Sequence, residues 1–175
     1  MHNDYKELLP ADFAGESRVW IYQSNRPFTV EEALEIGELL NDFVKTWHSH
    51  GEPVKGYGHL FLGQFVILMA DESGAGVSGC STDSSVRIIK EMERRFQVRL
   101  FDRILLAFLI NDRVELLPLS RLSNALEKGS MDENSLYVNN TIRSKAELES
   151  KWIIPIKDSW LADKLRGRKA LHSSD

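Results

Sequence analysis

The run Phe65-Val66-Ile67-Leu68-Met69-Ala70 constrains this chain more than any other stretch. An unbroken apolar run of this length, preceded by Gly63 and followed by polar and glycine residues, reads as a central strand. The next thirteen residues, Asp71-Glu72-Ser73-Gly74-Ala75-Gly76-Val77-Ser78-Gly79-Cys80-Ser81-Thr82-Asp83, hold three of the eleven glycines and the one cysteine of the chain. Val86, Ile89, Met92 and Phe96 then recur at helical spacing. A glycine-rich turn between a central strand and a helix is the first place to look for a site.

The remaining elements arrange themselves around that strand. Arg18 to Gln23 is rich in β-branched and aromatic residues and reads as a strand that Pro27 ends. Thr29 and Glu32 form a capping box, and Ala33, Ile36, Leu40, Phe43, Val44 and Trp47 make the apolar stripe of a helix that Gly51 closes. His59 to Leu62 joins the central strand through Gly63 as a hairpin, or the two form one bent strand. Thr82 or Asp83 caps the second helix. Ile104 to Ile110 and Val114 to Leu117 are strands turned by Asn111-Asp112-Arg113.

The order β-α-β-β-α-β, with one extra strand, is that of a ferredoxin-like α+β sandwich: an antiparallel sheet with both helices on one face. In this reading residues 1–16 are an N-terminal arm and 17–165 a single domain. Its ferredoxin-like core is 17–118 and its appendage 119–165; residues 166–175 are a frayed tail. The appendage carries a short helix from Leu119 to Lys128, an edge strand at Leu136-Tyr137-Val138, and a capping box at Ser144 and Glu147. Trp152, Ile153, Ile154, Ile156, Trp160 and Leu161 are predicted to cover the open sheet face. Strand topology places the glycine loop beside His48 to Tyr57 and the Asn111 turn, and away from Arg26 and Arg103.

With 175 residues the chain has the length of one domain, and its net charge of −4 argues against non-specific nucleic-acid binding. A single cysteine forms no internal disulfide and fits a reducing cytoplasm. The N-terminus has neither the basic nor the apolar region of a signal peptide, and no apolar run reaches membrane-spanning length, so a soluble cytoplasmic protein is expected.

The segments SRVWIYQSNRPFT (17 to 29), DESGAGVSGCSTDSSVRIIKEME (71 to 93), LFDR (100 to 103), LPLS (117 to 120) and KDSWLA (157 to 162) resemble a small family of uncharacterised bacterial proteins. The resemblance covers nearly the whole chain and is most specific at SGCSTDSS. Members are sometimes labelled ABC transporter ATPases, and the resemblance implies no catalytic residues. A phosphate-binding loop reads G-x-x-x-x-G-K-[ST]. Gly74, Gly79 and Ser81 match it, but Cys80 stands where the lysine must reach the β- and γ-phosphates. The chain also lacks the LSGGQ signature, so nucleotide hydrolysis is disfavoured.

Two chemistries remain for the loop. In the first, backbone N–H groups freed by glycine and a helix N-terminus bind a small anion. Ser73, Gly74, Gly76, Ser78, Gly79, Ser81, Thr82 and Asp83 would form the cradle, with Arg87, Lys55 or Arg113 neutralising charge. In the second, Cys80 is a nucleophile with a thiol pKa lowered by the helix, His48 or His50 is its base, and Asp71 or Glu72 orients the base. Against both stands a structural loop around a buried cysteine. His48 and His50, two residues apart, do not form a metal pair, and no metal or cofactor is expected. Arg94, Arg95 and Arg99 read as a solvated helix end. The leading expectation is a non-catalytic binding or interaction module, with the thiol enzyme as the alternative. Edge strands of this plan often pair, which makes an open-sheet homodimer a candidate assembly.

Overall fold

The computed structural model describes residues 4–71, 73 and 79–163, with side chains from Thr82 onward in the last segment. It is an α+β protein with antiparallel sheets. The chain divides into two compact units, one of residues 4–102 with 140–150 and one of residues 103–139 with 151–163.

The first unit is built on β1 (Arg18–Gln23), α1 (Val30–Thr46), β2 (His48–Ser49), β3 (Glu52–Pro53), β4 (Lys55–Phe61), β5 (Phe65–Asp71) and α2 (Gly79–Phe96). Its sheet has the order β1-β5-β4, with β5 antiparallel to both neighbours, and every residue of β5 is buried. The two faces divide cleanly because side chains alternate along a strand. Trp20, Tyr22, Leu60, Val66 and Leu68 share one core with Ile36 and Leu40 of α1 and Ile89, Met92 and Phe96 of α2. Both helices therefore lie on the same face, and α1 starts at the Thr29/Glu32 capping box.

Helix α1 does not run to Gly51. It ends at Thr46, where Trp47 turns extended and buries its ring. His48–Ser49 and Glu52–Pro53 then form a small hairpin with His50 (φ 52°) and Gly51 (φ 86°) at its turn. Two positive φ angles define the tight turn that suits the twist of paired strands. Leu62 and Gly63 turn the β4–β5 hairpin in the same way, with φ of 51° and 62°. The bent-strand alternative does not occur.

The fourth strand of the ferredoxin-like plan does not join this sheet. β6 (Leu105–Ile110) pairs with β7 (Arg113–Pro118) and β8 (Leu136–Val138) in the second unit, in a sheet of order β7-β6-β8-β9. The edge of β1 that the strand would have taken is met by a later segment. Val19 N–H donates to Arg143 O at 3.0 Å, and Arg18 bridges Ser144. A two-residue turn at Asn111-Asp112 makes β6 and β7 a local hairpin, and closing so short a loop costs far less entropy than a distant pairing.

In the second unit α3 (Leu119–Glu127), β8, and β9 (Ile153–Pro155) enclose a core of Phe108, Leu122, Met131, Tyr137, Ile156 and Leu161. Leu136 to Val138 is thus an inner strand, not an edge. Ile156 and Leu161 enter this core and Ile154 pairs with Tyr137, in place of the expected position on the first sheet. Trp160 Nε1 donates to the Tyr137 hydroxyl at 3.1 Å. Helix α4 (Lys145–Lys151) is capped by Ser144, whose hydroxyl accepts from Glu147 N at 3.3 Å.

Candidate functional site

The turn between β5 and α2 is anchored at its start by Asp71. This carboxylate accepts from Ser73 N at 3.1 Å on Oδ1, and from Lys55 Nζ at 3.1 Å and Ala14 N at 3.4 Å on Oδ2. Register explains the pairing with Lys55, which lies directly across from Asp71 on β4. The Ser73 hydroxyl and N–H, with Lys55 and Ala14, hold the carboxyl well below the usual carboxylate range. Lys55 in turn donates to Asp12 O at 2.6 Å, pairs with the Asp12 carboxylate at 3.2 Å, and sits 4.7 Å from the Phe13 ring centre. Its pKa is raised, first by Asp71 and further by Asp12.

Asp71 and Lys55 were expected to orient a base and to neutralise an anion, respectively. They bind each other and the N-terminal segment instead. The segment is fastened there by two more groups. Tyr57 donates to Leu8 O at 2.7 Å and Tyr5 donates to Leu148 O at 2.9 Å. Burial pushes both hydroxyls up to about 12, helped at Tyr5 by the charge of Glu149. Lys145 is buried beneath, donating to Phe13 O at 3.1 Å.

The far side of the turn is α2. The helix begins at Gly79, so Thr82 and Asp83 lie within it and neither is its N-cap. Cys80 and Ser81 belong to its first turn. No acid stands in that turn, and its N–H groups have no intrahelical acceptors. Thr82 is half-buried and its carbonyl accepts the Ser85 hydroxyl at 2.7 Å; Asp83 is exposed in the second turn. Arg87 is exposed, with its guanidinium 3.3 Å from the Ser84 hydroxyl. Gly74, Gly76 and Ser78, and the side chains of Cys80 and Ser81, lie outside the described residues, as does Glu72.

β2 lies beside α2, which brings the histidine segment to the helix that carries Cys80. His48 is exposed, and its Nδ1 is 2.8 Å from Thr46 O, a contact in which the nitrogen donates. His50 is exposed at the tip of the hairpin turn. The oxygens of Asp71 accept from Ser73, Lys55 and Ala14. Arg113 starts β7 in the other unit.

The residues leave unremarked a stripe on one face of β4. Tyr57 stacks on His59, and His59 meets the edge of Phe61 with ring centres 5.0 Å apart. Burial lowers the His59 pKa. The signal was present in the alternation Gly56, Tyr57, Gly58, His59, where glycines mark the face against which α1 closes.

Comparison with protein-family models, characterised proteins and solved structures returns no match. Among the described residues no helix is long and apolar enough to cross a membrane. No three histidine, cysteine or acidic side chains among them gather where they could hold a metal ion.

Proposed function

We propose that this chain is a soluble, cytoplasmic, non-catalytic binding module whose ligand is a small anion held at residues 72–83. The observation that carries the reading is the commitment of Asp71. Its oxygens accept from Ser73, Lys55 and Ala14, which makes Asp71 the anchor of the loop and of the N-terminal segment. The donors offered to a ligand are the N–H groups of the first turn of α2, which holds no acid itself and is followed by the exposed Asp83. Arg87 supplies the nearby positive charge.

The ferredoxin-like plan is proposed for the first unit in a modified form. The order β1-β5-β4 and the placement of both helices on one face support it, and the Arg143-Ser144 segment stands in for the missing strand.

A second reading keeps Cys80 as a nucleophile, because a start at Gly79 sets it in the first turn, where the helix dipole favours a thiolate. One pair of measurements separates them. Thermal unfolding with phosphate, sulfate and carboxylates is expected to rise with at least one anion, and to lose that rise in Arg87→Ala. Alkylation of Cys80 across pH is expected to follow an ordinary thiol, near about 8.5. No stabilisation by any anion removes the binding reading. A thiolate titrating well below that value supports the enzyme instead.

A further inference from the structure

The surface of α1 and α2 that faces away from the sheet divides by charge. α1 carries Glu31, Glu32, Glu35, Glu38 and Asp42 against Lys45 alone. Glu32 is taken by Arg26 and Glu35 by Arg95, while Glu38 and Asp42 are exposed; Asp42 pairs with the exposed Lys45 at 3.7 Å. On α2 Arg87, Lys90 and Arg94 lie at the i, i+3, i+7 spacing of one helix side and all three are exposed, and the exposed Asp83 and Glu91 share that side.

The two helices are antiparallel and their register is known. Glu35, near the start of α1, pairs with Arg95 at the end of α2, and Arg26 donates to both Glu32 and the Phe96 carbonyl. Take the Glu35–Arg95 level as zero and use about 1.5 Å of rise per residue. Glu38 then stands at about 4.5 Å and Asp42 at about 10.5 Å. Running the other way, Arg94 stands at about 1.5 Å, Lys90 at about 7.5 Å and Arg87 at about 12 Å. The acids of one helix fall at the heights of the bases on the other.

We propose that a second copy of this chain docks on this helical layer. A two-fold axis parallel to the helices lays α1 of one copy over α2 of its partner at unchanged height. Glu38 then meets Arg94 and Lys90 of the second copy, and Asp42 meets Arg87, twice over by symmetry. This is the self-complementary patch that an isologous dimer requires. A two-fold axis across the helices would set acids on acids. The layer also holds Leu34, 69% exposed, about 3 Å in height from Arg94, whose stem can reach to cover it. The outer edge of β4 fits such pairing less well, since Tyr57 to Leu60 are already half-buried. Arg87 also serves the proposed anion site, so the test of the dimer rests on Glu38 and Arg94, which that site does not use.

The test is sedimentation of the full chain at about 0.02 M and about 0.5 M salt, because exposed pairs are screened at the higher value. A dimer is expected at low salt, weakened at least about tenfold at high salt. Glu38→Lys and Arg94→Glu, each checked for native circular dichroism, are each expected to be monomeric. Mixed together they are expected to form a heterodimer, since both contact pairs again join opposite charges. A monomer at low salt overturns the proposal. So does a Glu38→Lys dimer as tight as wild type, or a mixture that stays monomeric.

Discussion

Gly56 lies against the indole of Trp47, and the structure sets the size of what a methyl group would do there. An added Cβ would stand 2.7 Å from Cε3 and 3.2 Å from Cζ3. Carbon atoms in contact prefer about 3.5–4.0 Å, so the ring must yield by about 1 Å. It has little room. Trp47 is 1% exposed and held between Phe43 and Trp20, with ring centres 4.9 and 5.9 Å away. Its carbonyl is fixed by Val54 N at 2.9 Å. Overpacking of this kind costs about 1–3 kcal/mol, offset by about 0.5–1 kcal/mol for replacing a glycine in a strand. Gly56→Ala is therefore expected to destabilise by up to about 2.5 kcal/mol and to lower the Tm by up to about 10 °C. Urea unfolding followed by circular dichroism should give an unchanged slope and a lower midpoint. Gly58→Ala meets only the branches of Leu68 and Leu40, at 3.1 and 3.3 Å, and should cost less than about 1 kcal/mol. Trp47→Phe removes the benzo ring, so Gly56→Ala should cost less in that background, a coupling that a double-mutant cycle reads directly. Equal effects at Gly56 and Gly58, or simple additivity with Trp47→Phe, would refute the contact.

Three other outcomes follow from bonds described above. Tyr5 and Tyr57 bind their protons more tightly folded than unfolded, so their contribution is complete below pH 10 and is lost as pH rises toward about 12. Tyrosinate absorbance should rise late for these two groups, and Tyr5→Phe should cost about 1 kcal/mol at neutral pH; early ionisation would mean that the N-terminal segment is not held as described. Glu32 is drawn down to about 2 by the Arg26 guanidinium and the Thr29 N–H. Its contribution is present above the ordinary 4.5 and disappears as pH falls toward about 2, so Arg26→Ala should flatten the acid limb of a stability–pH curve. Asp71→Asn keeps one acceptor and loses the ion pair with Lys55; a loss of about 1.5–3 kcal/mol in urea unfolding is expected, and a neutral result would return Asp71 to the candidates for chemistry.

The residues made the first unit legible wherever pattern and local chemistry agree. Thr29 and Glu32 announce the start of α1 because both halves of the capping box lie within one turn. Phe65 to Ala70 announces an inner strand because neither face has a polar residue. The misplaced ends share a cause. Trp47 carries the apolar stripe of α1 beyond the helix, since its ring fills the core from an extended backbone, and the period cannot distinguish the two. Gly79 opens α2 although Thr82 reads as the better cap. The hairpin of Leu105 to Ile110 with the next strand was legible, but its place in a second sheet was not. Its partners at 136–138 and the Arg143 segment that replaces it on β1 depend on pairings across long separations, which leave no periodic trace. In the site, Lys55 and Asp71 were both visible as charges. Only the register of β4 on β5 makes them partners.

The path of the chain through its two units has a consequence for how it is made. Residues 4–102 complete the three-stranded sheet and its two helices, yet the outer edge of β1 waits for Arg143 and Ser144, which follow the whole segment 103–139. A ribosome delivers the chain from its N-terminus, so the nascent sheet carries an open edge throughout the synthesis of that segment. An exposed edge is a template for pairing with other chains. Truncation before residue 143 leaves that edge permanently bare, and such fragments are expected to aggregate although every strand of their sheet is present.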